Sequence, residues 1–288
     1  MSTATRTSRW AYLPLVAGAL LMLFPLWWMA AISLETTERA GAATVGEGSL
    51  LVMPEEPQWR NYPDALEQVG SEPWAGFFDA LANSTVVTVL CVLGTILSSS
   101  LVGFGFARMR FRGREPLFTV MLATMMLPPQ VTMIPLFLLF RQLGWVDTLL
   151  PLVVPAFFGN AFFIFMFRQF IAQIPESLFE AARIDGCGTL GLWWRILLPL
   201  CRPVVAITAV FTFIFVWNDF LIPLIYLHSN EQATLAVALN SFRNQYGGLE
   251  NVNYLMAVSI VTMLPCILLF FAAQRQFVDG LGKGAVKG

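Results

Sequence analysis

Six stretches, each about twenty residues long and apolar nearly throughout, dominate this chain: residues 11–33, 84–106, 117–140, 149–167, 204–225 and 254–273. A helix needs roughly twenty such residues to cross the hydrocarbon of a bilayer. Inside lipid, only helices and closed barrels satisfy every backbone N–H and C=O. The runs are continuous and lack the apolar–polar alternation of barrel strands, so helices are the expected form. Composition agrees. Only 12% of the residues are charged and 57% are hydrophobic, whereas a soluble domain carries roughly 25% charged residues. Too little polar side chain remains to coat a globule in water. The expected fold class is all-α: a polytopic membrane protein, residues 1–288, with six transmembrane helices.

Arg6 and Arg9 precede the first run, as they would in a cleaved signal peptide. That run is longer than the about 7–15 apolar residues of a signal core, and no small-x-small cleavage site follows it. It is read as a span. Lysine and arginine then sort the loops. Thirteen lie before the first span, between the second and third, between the fourth and fifth, and after the sixth. Four lie on the other side: Arg39, Arg60, Arg141 and Arg243. Positive charge collects in the cytoplasm, so both termini are expected there. Residues 34–83 become an extracytoplasmic loop, 168–203 a cytoplasmic loop and 274–288 a cytoplasmic tail. The 34–83 stretch carries nine acidic residues and two Arg, with Trp59, Tyr62, Trp74 and Phe77 among Pro and Gly. It suits an external loop with local structure. Cys91 and Cys266 fall in spans and Cys187 and Cys201 on the cytoplasmic side, which argues against disulfides.

Several chemistries are excluded. The formal net charge is -1, so no basic field for nucleic acid exists in the total. No G-x-x-x-x-G-K-[ST] phosphate loop occurs, and His228 is the one histidine. No catalytic set and no metal-ligand set is expected, and no cofactor on this chain. ATP-driven work would need another chain to hydrolyse the ATP. The prolines Pro25, Pro128, Pro129, Pro135, Pro151, Pro155, Pro223 and Pro265 lie in spans, where each removes a helix hydrogen bond. Pro128-Pro129 is the best hinge candidate. Trp217-Asn218-Asp219 sits two thirds of the way along the fifth span. A carboxylate there needs water, a donor or a partner helix. These three residues are therefore candidates either for the lining of a translocation path or for an interhelical contact. A proton relay normally needs more mid-membrane acids, which weighs against ion-coupled transport.

The loop between the fourth and fifth spans is the most informative. Pro175 and Glu176 suit a helix start, and Ser177 to Asp185 are mostly good helix formers. Gly186 suits a left-handed stop. Thr189 can cap a second short helix that Pro199 ends. Leu178, Phe179 and Ala182 fall on one face, and Ala181 and Ala182 are small. The shape fits a helical plug for a groove on a partner protein. A helix lying on lipid would carry a Lys/Arg-rich polar face, and here the charges are mixed.

Glu180-Ala181-Ala182, then Gly186, Ile196 and Leu198-Pro199, resembles the EAA signature of ABC importer permeases. The wording IPESLFEAARIDG…WWRILLPL is similar to the carbohydrate-uptake, maltose-type branch. Asn83-Ser84, Ala107-Arg108, Pro128-Pro129, Pro135-Leu136, Trp217-Asn218-Asp219-Phe220 and the tail around Gly280 and Gly284 to Gly288 fit in order. The resemblance implies a type I ABC importer permease fold in a bacterial or archaeal inner membrane. It implies a complex of two homologous permeases, two ATPase subunits that bind ATP and Mg, and an extracytoplasmic solute-binding protein. Under it Glu180, Ala181, Ala182, Asp185, Gly186, Leu198 and Pro199 are ATPase-coupling residues, and the solute is a sugar. A polyol, glycerol phosphate or peptide would use the same architecture.

Overall fold

The long apolar segments are helical. The structure, a computed structural model, describes residues 12–46, 53–69, 76–246 and 251–285. Arg6, Arg9, Ser49, Trp74 and the end of the tail lie outside the described residues. The helices are α1 (Tyr12–Ser33), α2 (Thr37–Val45), α3 (Asn61–Val69), α4 (Phe77–Arg108), α5 (Arg114–Thr124), α6 (Pro129–Gln142), α7 (Leu150–Val153) and α8 (Ala161–Ala172). They continue as α9 (Glu176–Ile184), α10 (Thr189–Gly191), α11 (Leu198–Leu200), α12 (Arg202–Trp217), α13 (Leu221–Tyr226), α14 (Leu235–Tyr246) and α15 (Val252–Ala285). No strand occurs among the described residues. Among the described residues, four helical segments are long and apolar enough to cross a membrane, and up to six if two bent pairs each count as one span.

Backbone breaks divide several segments that read as uninterrupted in the sequence. α5 and α6 meet at 98°, because Pro128 caps α6 in extended conformation and Pro129 opens it. The fourth segment runs Leu150–Ala172 but passes through a 3-10 turn at Val154–Phe158. Asn160 restarts it as N-cap, its side chain accepting the N–H groups of Phe162 and Phe163. The fifth apolar run, read as continuous to Ile225, is broken: α12 ends at Trp217 and α13 restarts at Leu221. α4 begins at Phe77, so Asn83-Ser84 lies inside it rather than opening it. There the Asn83 amide donates to the carbonyls of Glu231 (2.8 Å) and Ala233 (3.1 Å), and Ser84 Oγ accepts the N–H of Leu235 (2.7 Å).

One compact unit comprises residues up to Glu72 with Ala238–Leu264. Its core is Ile32, Ala40 and Val252, with Trp28, Ala43 and Met256 against it. The Asn61 amide donates to the carbonyls of Ser33 (2.9 Å) and Glu35 (2.8 Å), which ties α3 to the end of α1. Arg39 pairs with Glu55 at 3.1 Å on the surface.

The other unit comprises Pro73–Val237 with the residues from Pro265 onward. α4 is its axis, packed along α8 and α12. Small residues allow that approach, as is usual between membrane helices. A Cβ on Gly103 would meet Phe167 Cβ at 2.7 Å and the Ile164 carbonyl at 3.2 Å. In a turn of this unit Asp147 adopts φ 62°. Its carboxylate accepts the N–H groups of His228 (2.9 Å) and Ser229 (2.7 Å), and these bonds hold its pKa below the ordinary carboxylate range.

Candidate functional site

The helix α9, in the loop after the fourth segment, is built to be rigid at both ends. Pro175 is the N-cap of α9 and Glu176 opens its first turn, where a carboxylate favours the positive end of the helix. At the other end Gly186 adopts φ +80°. Its N–H donates to the Arg183 carbonyl (3.0 Å), and the N–H of Cys187 donates to that of Ala182 (2.9 Å). Those two bonds are the paired closure of a Schellman motif. The expectation that Gly186 stops the helix in a left-handed corner agrees with this geometry.

The faces of α9 differ from the sequence reading. Phe179 is fully buried and Ala182 nearly so, in a cluster with Phe104, Phe167, Ile171, Leu192, Leu197 and Cys201 of the same chain. They cannot also enter a partner's groove. The outward side carries Ser177, Glu180, Ala181, Ile184 and Asp185, all exposed, with exposed Leu178 beside them. Ile184 is 86% exposed. The physical reason is amphipathicity of short period. An i, i+1, i+4 set marks an apolar face, but the periodicity does not say which neighbour covers it. Of the candidate coupling residues, Glu180, Ala181, Asp185 and Gly186 face outward together and Ala182 does not.

Leu198 and Pro199 belong to the next helical segment. Gly188, not Thr189, is its N-cap, without a side-chain capping bond. The segment runs Thr189–Leu200 through Pro199 and meets α12 at 80°. It contains a π-helical stretch at Leu192–Leu197, a form often found at functional sites. Trp193 Nε1 donates to Ser100 Oγ on α4 at 3.1 Å. Leu190 and Trp194 are exposed, at 68% and 58%.

Arg108, counted for topology and quoted in the resemblance but given no role, proves central here. Arg108, the last residue of α4, donates to the carbonyl of Ile171 (2.8 Å) and to that of Ile174. It also pairs with the Glu176 carboxylate, and its guanidinium lies over the Phe179 ring, 4.7 Å from the centroid. No sequence signal marks this role, since the partners are more than sixty positions away.

The three fifth-span candidates separate. Trp217 is buried and stacks on Phe213 at 5.3 Å, so one ring face is occupied. Asn218 is exposed and its amide donates to the Ile214 carbonyl at 2.8 Å. Asp219 is partly buried, and its Oδ1 accepts the N–H of Ile222 at 3.3 Å. Trp217 and Asp219 line a cavity of about 260 Å³ with Thr132, Tyr226 and Thr234, and Asn218 does not. Among the described residues, the buried Thr234 hydroxyl has no hydrogen-bond partner.

Residues 99–283 match the family described as "binding-protein-dependent transport system inner membrane component". The chain is 35% identical to the arabinooligosaccharides transport system permease protein AraQ of Bacillus subtilis, covering 94% of this chain and 92% of the relative. It is also 35% identical to the lactose transport system permease protein LacG of Rhizobium radiobacter, covering 96% and 95%. The sn-glycerol-3-phosphate transport system permease protein UgpE of Yersinia enterocolitica is 32% identical over 93% of both. A crystal structure of a bacterial ABC transporter involved in the import of the acidic polysaccharide alginate superposes with TM-score 0.78 at 24% identity, covering 93% of this chain and 98% of that one. Bent apolar helices, a capped helix in the loop after the fourth segment and these similarities converge: the chain belongs to the family of binding-protein-dependent transport system inner membrane components, the permease subunits of ABC importers.

Proposed function

We propose that this chain is the permease of an ATP-driven sugar importer, forming half of a translocation path and docking an ATPase through the tip of α9. One observation carries the docking role. Ile184 is held outward at 86% exposure on a helix whose opposite face is sealed into the chain's own core. Leu178, Leu190 and Trp194 are exposed in the same loop. Such an apolar group among charges suits a surface covered by a partner protein. The relatives named for arabinooligosaccharide and lactose transport favour a sugar. The relative named for sn-glycerol-3-phosphate keeps a phosphorylated polyol as the second reading.

In this reading Glu180, Ala181, Asp185 and Gly186 form the docking tip, and Ala182, Leu198 and Pro199 support it from within the loop. ATP and Mg bind the two ATPase subunits, a second homologous permease completes the path, and an extracytoplasmic binding protein delivers the solute. Asp219 and Trp217 line the path through their cavity. The complex, purified through a tag on this chain, is expected to contain two ATPase subunits and a second permease. Its hydrolysis is expected to be stimulated by a sugar-loaded binding protein. Co-purification of no ATPase, or stimulation by glycerol 3-phosphate alone, would reject the first or the second half of the proposal.

Orientation follows from the Lys and Arg distribution, with both termini in the cytoplasm of a bacterial or archaeal cell and the 34–83 segment outside. In a variant without native Cys, an impermeant thiol reagent applied to intact cells is expected to label Glu56→Cys and to spare Ser177→Cys. The opposite pattern reverses the topology.

A further inference from the structure

We propose that Arg108 is a positioning residue that locks α9 to α4 and α8 as one body, so that displacement of the docking tip reaches the spans. The inference rests on α9 being the docking helix. Between α8, which ends at Ala172, and α9, which begins at Glu176, only Gln173, Ile174 and Pro175 intervene. Pro175 has no N–H, and its ψ of 136° takes the backbone out of helical conformation, so the ladder is interrupted at that point. Left alone, such a linker would bend and absorb a push on α9.

Arg108 spans the linker from outside. Its guanidinium binds the Ile171 and Ile174 carbonyls on the near side. On the far side it binds the Glu176 carboxylate and covers the Phe179 ring. Phe179 stacks in turn on Phe104, one turn before Arg108 on α4, at 6.3 Å. α4 thus meets α8 and α9, more than sixty positions away, at one planar cation. The Arg108 side chain is only 11% exposed, so water competes weakly for these bonds. A guanidinium presents five donors in a rigid planar fork, whereas an ammonium has three on a compact, freely rotating head that matches this spread of acceptors poorly. Arg183 also reaches Glu176, at 3.3 Å, but from within α9 itself, so it fastens α9 to nothing else.

The test uses the whole transporter reconstituted with its ATPase subunits and binding protein. Arg108→Ala is expected to keep ATPase subunits bound and hydrolysing while transport per ATP falls about tenfold or more, the loss expected when charged hydrogen bonds disappear. Spin labels at Ser177 and Met109, narrow in their distance distribution in the parent, are expected to broaden. Arg108→Lys is expected to restore little of the coupling, and Glu176→Gln to lose several-fold. A merely structural role would lower assembly, hydrolysis and transport in parallel and leave transport per ATP unchanged, which overturns the proposal. If Arg108→Ala inserts poorly, the Lys and Gln variants decide: unchanged transport per ATP in both rejects the joint. Ile184→Asp separates the two ideas. If it leaves ATPase association and coupling intact, the docking reading fails. If it uncouples while the Arg108 variants do not, the joint alone fails.

Discussion

Gly186→Val is expected to reduce transport at least tenfold with the chain still inserted in the membrane. Gly186 has φ +80°, a region that costs an L-residue roughly 1–2 kcal/mol and a β-branched one more. Relieving that strain unwinds the Schellman closure made by the N–H groups of Gly186 and Cys187, and the exposed tip of α9 loses its fixed direction. A clash with surrounding residues cannot explain the loss, because a Cβ at this position meets none of their atoms within 4 Å; the strain is in the local backbone. Gly186→Asn is therefore the informative control. Asparagine tolerates the left-handed region, so it is expected to stay near the parent in transport and in ATPase association. Normal transport by the Val variant at normal expression would reject the corner as a coupling element. Equal damage by Asn and Val would show that the tip needs a bare backbone there rather than a conformation.

Asp219→Asn is expected to assemble and bind ATPase subunits like the parent but to transport about tenfold more slowly at saturating solute. The variant separates charge from structure. Asp219 accepts the N–H of Ile222 in the first turn of α13, and an asparagine carbonyl serves that role as well as a carboxylate. What disappears is the negative charge in the cavity that Asp219 shares with Trp217, Thr132, Tyr226 and Thr234. Charge-assisted hydrogen bonds are roughly twice as strong as neutral ones, so under the proposed path-lining role the loss falls on transport rather than on assembly. Reduced detergent stability together with reduced transport would make Asp219 a structural pin. Unchanged transport and assembly would leave it a solvated residue.

The helical class, the existence of long apolar segments and the absence of a nucleotide loop could all be read from the amino-acid sequence. These follow from local physics: hydrocarbon excludes unsatisfied backbone, and segment length is counted along the chain. The rigid end of α9 was equally legible, since Pro175, Glu176 and Gly186 act through their own backbone preferences.

Tertiary structure alone decided what faces what. Leu178, Phe179 and Ala182 read as one apolar face, yet Phe179 and Ala182 turn into the chain's own core while Ile184 is left outside. Apolar spans carry little information about orientation, because lipid and protein neighbours are both apolar. The approach of α8 to Gly103 and the separation of Asn218 from the Asp219 cavity were therefore hidden. Pro128-Pro129 was legible as a weak point, but the 98° turn between α5 and α6 was not, because a proline removes a hydrogen bond without fixing an angle. Arg108 shows the limit most plainly. Its charge could be counted in a loop, but its acceptors lie at Ile171, Ile174 and Glu176, and only the packing of α4 against α8 brings them within reach.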